Sequence, residues 1–223
     1  MPDDVEIRPF HIDDSDAVWR LKRQPGVIET TMTLPSQRAD QRRAQYEQLG
    51  DDDHVFVAIR NGEVAGSAGL HVGTGRRRHT ATLGIFVSMT HQRAGVGDAL
   101  MRTLLDLADR WLGLRRIELG VLVGNQAARR LYEKHGFTAE GVLRQSIAGE
   151  GELRDELWMA RLRPPMPAES EAAAERAGID AGADGAPAIE GSVAEPSDGA
   201  TVDPAAGDDP ALVERGGTSE SAR

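Results

Sequence analysis

A chain of 223 residues without one cysteine excludes disulfides, zinc thiolate sites and thiol nucleophiles at once. Its formal charge of −10 is unevenly spread: residues 164–223 hold 13 acids against 3 bases, while residues 1–163 balance at 23 of each. The global charge therefore says nothing about a site in the first 163 residues, whereas the acidic segment favours solubility and repels nucleic acid.

The first strand is predicted at Val5–Phe10, followed by a helix through Ala17, Val18 and Leu21 with Asp13 and Asp14 as capping acids. Gln24-Pro25-Gly26 breaks that helix, and a Thr-rich loop runs to Pro35. Ser36 can cap a second helix that stops near Leu49-Gly50. His54–Arg60 and Glu63–Val72 alternate as strands around Asn61-Gly62, a strong hairpin turn. A strand from Thr80 to Ser88 leads into a glycine turn and then a helix, with Val96, Leu100, Leu104, Leu107, Ala108 and Trp111 on one stripe. Arg116–Val123 is the next strand, Asn125 opens a helix that stops at Gly136, and Thr138–Ile147 with Glu152–Leu162 closes as a hairpin.

The order β-α-α-β-β-β-α-β-α-β-β predicts an α+β fold with a mixed sheet of seven strands, four helices and a parallel pair flanking the glycine helix. From Pro164-Pro165-Met166-Pro167 onward aromatic residues are absent and the apolar residues follow no period. One domain over 1–163 and a disordered acidic tail over 164–223 are the expectation, because such a tail buries too little apolar surface to offset its ordering entropy. The chain start has neither a basic nor an apolar leader segment, and no run is long enough to span a bilayer, so a cytoplasmic setting without a membrane partner is expected.

The most informative segment is Gln92-Arg93-Ala94-Gly95-Val96-Gly97, where a strand turns through glycines into a helix. The N–H groups of a helix start have no intrahelical partner, and the helix dipole adds partial positive charge there. Gly95 and Gly97 carry no Cβ to hold an anion away, so the turn suits a phosphate. A triphosphate loop would need Gly-Lys-Ser/Thr, which is missing. A dinucleotide turn would need a third glycine where Leu100 stands, and its ribose acid, Glu118, falls inside a strand.

This Gln-x-x-Gly-x-Gly turn resembles the acetyl-CoA pyrophosphate loop of the GCN5-related N-acetyltransferase (GNAT) superfamily. The run Asn125-Gln-Ala-Ala-Arg-Arg-Leu-Tyr-Glu-Lys-His-Gly-Phe137 is similar to that family's second signature, and the resemblance spans roughly residues 4–163. Within Arg76–Ser88 and Trp111–Val123 the chain most resembles bacterial acetyltransferases of free L-amino acids.

The resemblance implies acetyl-CoA as donor, no metal, and a small-molecule primary amine as acceptor, with a free L-amino acid foremost. Protein N-termini, a polyamine or an antibiotic amine are the alternatives, as is a non-catalytic relative that only binds acyl-CoA. It further implies that Gln92, Arg93, Ala94, Gly95, Val96 and Gly97 hold the pyrophosphate, that the main chain at Phe86 and Val87 pairs with the pantetheine arm, and that Asn125 contacts the cofactor or a water. Tyr132 takes the place of the tyrosine that protonates the leaving thiolate, a role that a phenol of pKa about 10 can fill. The strands either side of the glycine helix are expected to splay around the thioester. A homodimer is expected only by analogy with such relatives.

Thr82 stands where many relatives carry a carboxylate base, and threonine cannot take a proton at neutral pH. A water chain, Glu118, His79, or amine deprotonated in solution would have to serve instead. The bland readings are a packing role for the glycines and Tyr132, a cap for Asn125, solvated charges at Arg129, Arg130 and Lys134, and an acidic turn at Asp51-Asp52-Asp53. Arg76-Arg77-Arg78 reads first as a solvated loop, the six histidines as scattered surface or packing residues, and no basic surface interleaved with aromatics points to nucleic acid.

Overall fold

A computed structural model describes residues 4–163. The tail expected at 164–223, and so the domain boundary before it, lies outside the described residues.

Strand β1 (Val5–Pro9) leads through a short 3-10 turn into α1 (Ser15–Lys22). Asp14 does not cap α1 through its own side chain; its carboxylate accepts the His11 N–H and a two-pronged pair from Arg8, both at 2.7 Å. Helix α2 (Ala39–Tyr46) begins two residues later than a Ser36 cap would place it. The Gln41 side chain reaches back to the Arg38 N–H at 3.2 Å, which fixes the start there.

Strands β2 (Asp53–Arg60) and β3 (Glu63–Val72) form the expected hairpin, with Asn61 and Gly62 both at positive φ. Strand β4 (Thr80–Val87) precedes α3 (Val96–Asp106), and β5 (Arg116–Leu122) precedes α4 (Gln126–Lys134). Strands β6 (Thr138–Gly149) and β7 (Glu152–Leu162) close the domain. The seven strands form one mixed sheet in the order β1-β2-β3-β4-β5-β7-β6, parallel only between β4 and β5. The predicted architecture is present in full.

Helix α3 lies across β1 to β4 and buries Val96, Leu100, Met101 and Leu104 against Leu70, Ala81, Leu83, Ile117, Leu119 and Met159. Strand alternation therefore gives Ala81, Leu83, Ile85 and Val87 to this core and turns Thr82, Gly84 and Phe86 to the opposite face, which α1 covers in part. The buried stripe on α3 ends earlier than its period predicts. Val96, Leu100, Leu104 and Ala108 are buried, but Trp111 is 76% exposed. After Asp106 the backbone widens into a π-turn over Leu107–Trp111, so the 3.6-residue period no longer carries Trp111 inward. Arg161 on β7 holds that turn by Asp109, at 2.9 and 2.7 Å.

Asp98, in the first turn of α3, ties this helix to the end of α4 through Lys134 at 2.5 Å and His135 at 2.9 Å, and also meets Arg102. Burial alone would raise the Asp98 carboxyl, but the hydrogen bonds from Lys134 and His135 outweigh it and hold the group below 3.8. A carboxyl depressed on folding stabilises above its unfolded pKa, and that stability is lost as pH falls through the folded value. Asp98→Asn should cost about 1–2 kcal/mol at pH 7 and nothing near pH 2, measured as urea unfolding midpoints at both pH values.

Candidate active site

The strand β4 ends at Val87, and a 3-10 turn (Met89–His91) carries the chain to the glycine turn. Arg93 and Gly95 take positive φ, 60° and 82°, and Gly95 is the N-cap of α3 without any side-chain capping bond. The first bond of the helix is Ala99 N–H to Gly95 C=O, at 3.0 Å. The amide groups before it point out of the helix end, a concave set of donors at the positive end of the dipole. A phosphate fits such donors chemically, and no side chain occupies them as a cap. Gln92 and Arg93 are exposed at the rim, and Gln92 donates to the Met89 sulfur at 3.1 Å. Gly97 has a packing duty as well: a Cβ there would lie 3.2 Å from Leu131 of α4.

Strands β4 and β5 pair over only three positions, Thr80 with Arg116, Ala81 with Ile117 and Thr82 with Glu118. Past that point they part. Leu83–Val87 bond only to β3, and Leu119–Leu122 only to β7, so each strand presents an unpaired edge to the opening. Phe86 and Val87 border it, and the glycine turn lies at its β4 end. Segment 24–30 bridges the same end. Gln24 accepts from the Ser88 hydroxyl (3.1 Å) and the Met89 N–H (3.3 Å), and Arg154 of β7 reaches the Glu29 carbonyl at 3.5 Å.

On the face away from α3, Gly84 is exposed although its strand is central, and a Cβ there would meet nothing within 4 Å. Open space therefore stands over Gly84. Glu118 is buried at the point where the strands part, with one oxygen on Arg77 (2.6 Å) and the other on Arg116 (2.7 Å). Both oxygens are engaged, which leaves this carboxylate poorly placed to accept a substrate proton. Arg116 also grips Glu140 and thereby holds that carboxyl below its usual range. His79 is exposed at the strand start, outside the opening.

Tyr132 lies on α4, 5% exposed, its ring 5.9 Å from that of Phe137. Burial pushes its phenol pKa up, so it carries its proton throughout the neutral range. Asn125 caps α4, its side-chain oxygen taking the Ala128 N–H at 3.1 Å. Arg129 and Lys134 are paired with Glu133 and Asp98 on the helix surface, and Arg130 is exposed.

The fold that carries this site is shared with known proteins. Residues 22–137 match the model of the Acetyltransferase (GNAT) family. The chain belongs to that family. It is 33% identical over 163 residues to the L-amino acid N-acetyltransferase AaaT of Escherichia coli, covering 72% of this chain and 99% of that one. It is 30% identical over 172 residues to the phosphinothricin N-acetyltransferase of Streptomyces viridochromogenes, covering 73% and 91%. A solved spermidine N-acetyltransferase of Vibrio cholerae, in complex with CoA and spermine, shares the fold at a TM-score of 0.64 and 23% identity over 71% of this chain and 95% of that one.

As a GNAT acetyltransferase, the protein is an enzyme that transfers an acyl group. The sequence reading passed over one pairing on the open face: His71 Nδ1 lies 2.6 Å from Asp53 Oδ1. Asp53 reads as part of an acidic turn, and only the β2–β3 register brings it beside His71. Alternation on the two strands was the available signal. In this site, Gly95→Ala should cost about 1 kcal/mol of stability because an alanine resists φ of +82°, measured by urea unfolding in the absence of ligand.

Proposed function

We propose that this enzyme transfers acetyl from acetyl-CoA to the α-amine of a small carboxylate-bearing molecule, foremost a free L-amino acid. The observation that carries the reading is the junction of an uncapped glycine turn with two parallel strands that part after Thr82 and Glu118. The outward amides of Gly95–Gly97, with Gln92, Arg93 and Ala94, would hold the pyrophosphate. The free edge of β4 at Phe86 and Val87 would pair with the pantetheine arm as an added strand does. That arm runs into the opening, and its thioester comes to rest near Gly84, where the space is open.

Four tasks then fall to this chain: orienting the amine, stripping its proton, polarising the thioester carbonyl and protonating the thiolate. Tyr132 supplies the last proton: burial keeps the phenol protonated at neutral pH, and because burial also weakens it as an acid, its proton moves as the C–S bond breaks rather than to a finished thiolate. Asn125, as cap of α4, holds the start of the helix that carries Tyr132.

The substrate side is covered by α1 and α2. Lys22 is fully buried with its ammonium 4.9 Å from the centre of the Phe86 ring, and Arg42 of α2 is close enough to depress it further. The 33% identity to an L-amino acid N-acetyltransferase supports an amino-acid substrate. A cytoplasmic setting and a small-molecule partner go with this reading.

The test is thiol release from acetyl-CoA against amino acids, polyamines and N-terminal peptides. Amino acids should give the highest kcat/KM, and activity confined to polyamines or peptides would overturn the substrate assignment. With the best amine, Tyr132→Phe should lower kcat by about 100-fold or more while leaving the acetyl-CoA Kd within twofold.

A further inference from the structure

Thr82 leaves the amine without a carboxylate base at its own position, but the neighbouring strands carry a substitute. In the sheet register Asp53 is the partner of His71, His71 of Thr82, and Thr82 of Glu118. Register partners share a face, so these four side chains form one row across β2, β3, β4 and β5 on the open side.

Asp53 is fixed at both oxygens. Oδ1 meets His71 Nδ1 at 2.6 Å and Oδ2 accepts the Gly50 N–H at 2.9 Å. The hydrogen bond to His71 is the main reason the Asp53 carboxyl sits below its usual range, and it is ionised at neutral pH. An ionised Asp53 assigns the proton to Nδ1 and leaves Nε2 with a lone pair. That nitrogen lies 3.5 Å from where a Cβ on Gly69 would be. Gly69 is in turn the register partner of Gly84, over which the space is open. The lone pair thus overhangs a floor of two glycines beside the point where β4 and β5 part. The His71 and Asp53 side chains are 21% and 24% exposed, enough for solvent to carry a proton away.

The charged groups nearest the pair along the sheet are His54 on β2, Arg77 before β4, and Glu118 and Arg116 on β5. Glu118 is held by the two arginines, so its charge is largely offset before it reaches His71.

We propose that His71 is the general base of this enzyme and that Asp53 is its positioning residue. The proposal rests on the acetyl-transfer reading. His71 Nε2 takes one proton from the substrate ammonium, directly or through one water, giving a neutral amine and an imidazolium that Asp53 stabilises. The amine lone pair forms the N–C bond at the thioester carbonyl, and the amine's second proton leaves as the tetrahedral adduct collapses. The C–S bond breaks with its electron pair on sulfur, and Tyr132 gives that sulfur a proton. The proton shed by the adduct restores the phenol, and the imidazolium returns its own to solvent.

The experiment is the pH profile of kcat/KM, from about pH 5.5 to 10, for the full chain, His71→Gln and Asp53→Asn, with the acetyl-CoA Kd as a check on folding. The unsubstituted enzyme should lose activity along an acid limb as the general base takes up a proton. His71→Gln should lower kcat/KM about 100-fold or more at pH 7, lose that limb, and climb tenfold per pH unit toward the amine's own pKa. Asp53→Asn should lower the rate about tenfold and move the limb to lower pH, since the imidazolium loses its anionic partner. A His71→Gln enzyme within threefold of the original with the same limb overturns the proposal. If His71→Gln fails to bind acetyl-CoA, an unmoved limb in Asp53→Asn overturns it and a lowered one supports it. Transfer that survives His71→Gln unchanged removes only the base, whereas an original chain that acetylates no amine removes the acetyl-transfer reading with it.

Discussion

The structure depends on one short stretch of pairing. Strands β4 and β5 run parallel and stay together for three residue pairs, and then each keeps its outer neighbour and releases the other. A sheet interrupted in this way would expose two rows of backbone donors and acceptors in the middle of the molecule, at a cost that a folded domain does not bear without reason. Helix α3 covers one face of the break and α1 covers the other only in part, at Phe86, so the break is a slot that opens over Gly84. The chain belongs to a family of acetyltransferases, and the slot with its glycine turn is where the proposed acyl transfer would take place.

The slot is closed at its narrow end by charge. Glu118, Arg77, Arg116 and Glu140 form a chain of ion pairs across the loop before β4, strand β5 and strand β6. Because Glu118 is buried, its partners must remain in place, and the vertex is set by electrostatics as well as by backbone bonds. At the wide end the Gln24 side chain does a similar job with uncharged bonds, joining the α1–α2 loop to Ser88 and Met89.

Most of the architecture was legible because it is written in local signals. Alternation marks β2 and β3, Asn61-Gly62 marks the hairpin, and glycines mark the start of α3 and the end of α4. The failures share a cause. Trp111 leaves its stripe because a π-turn shifts the phase, and the start of α2 moves because Gln41, not Ser36, satisfies the first amide. Of the site, the turn and Tyr132 were readable from type and spacing. The pairing of Asp53 with His71 was missed, since it needs the register of the β2–β3 hairpin followed to its far end. So was the capture of Glu118, which needs Arg77 brought from a different segment.

Gly97 carries a last consequence. Its missing Cβ lets Leu131 seat against the first turn of α3, and Tyr132 is the next residue along α4. The glycine motif is therefore also a bearing between two helices. A side chain at Gly97 would press on Leu131 and so on the contact between the first turn of α3 and α4. The glycine turn and the helix that carries Tyr132, separate in the sequence, are packed against each other at this contact.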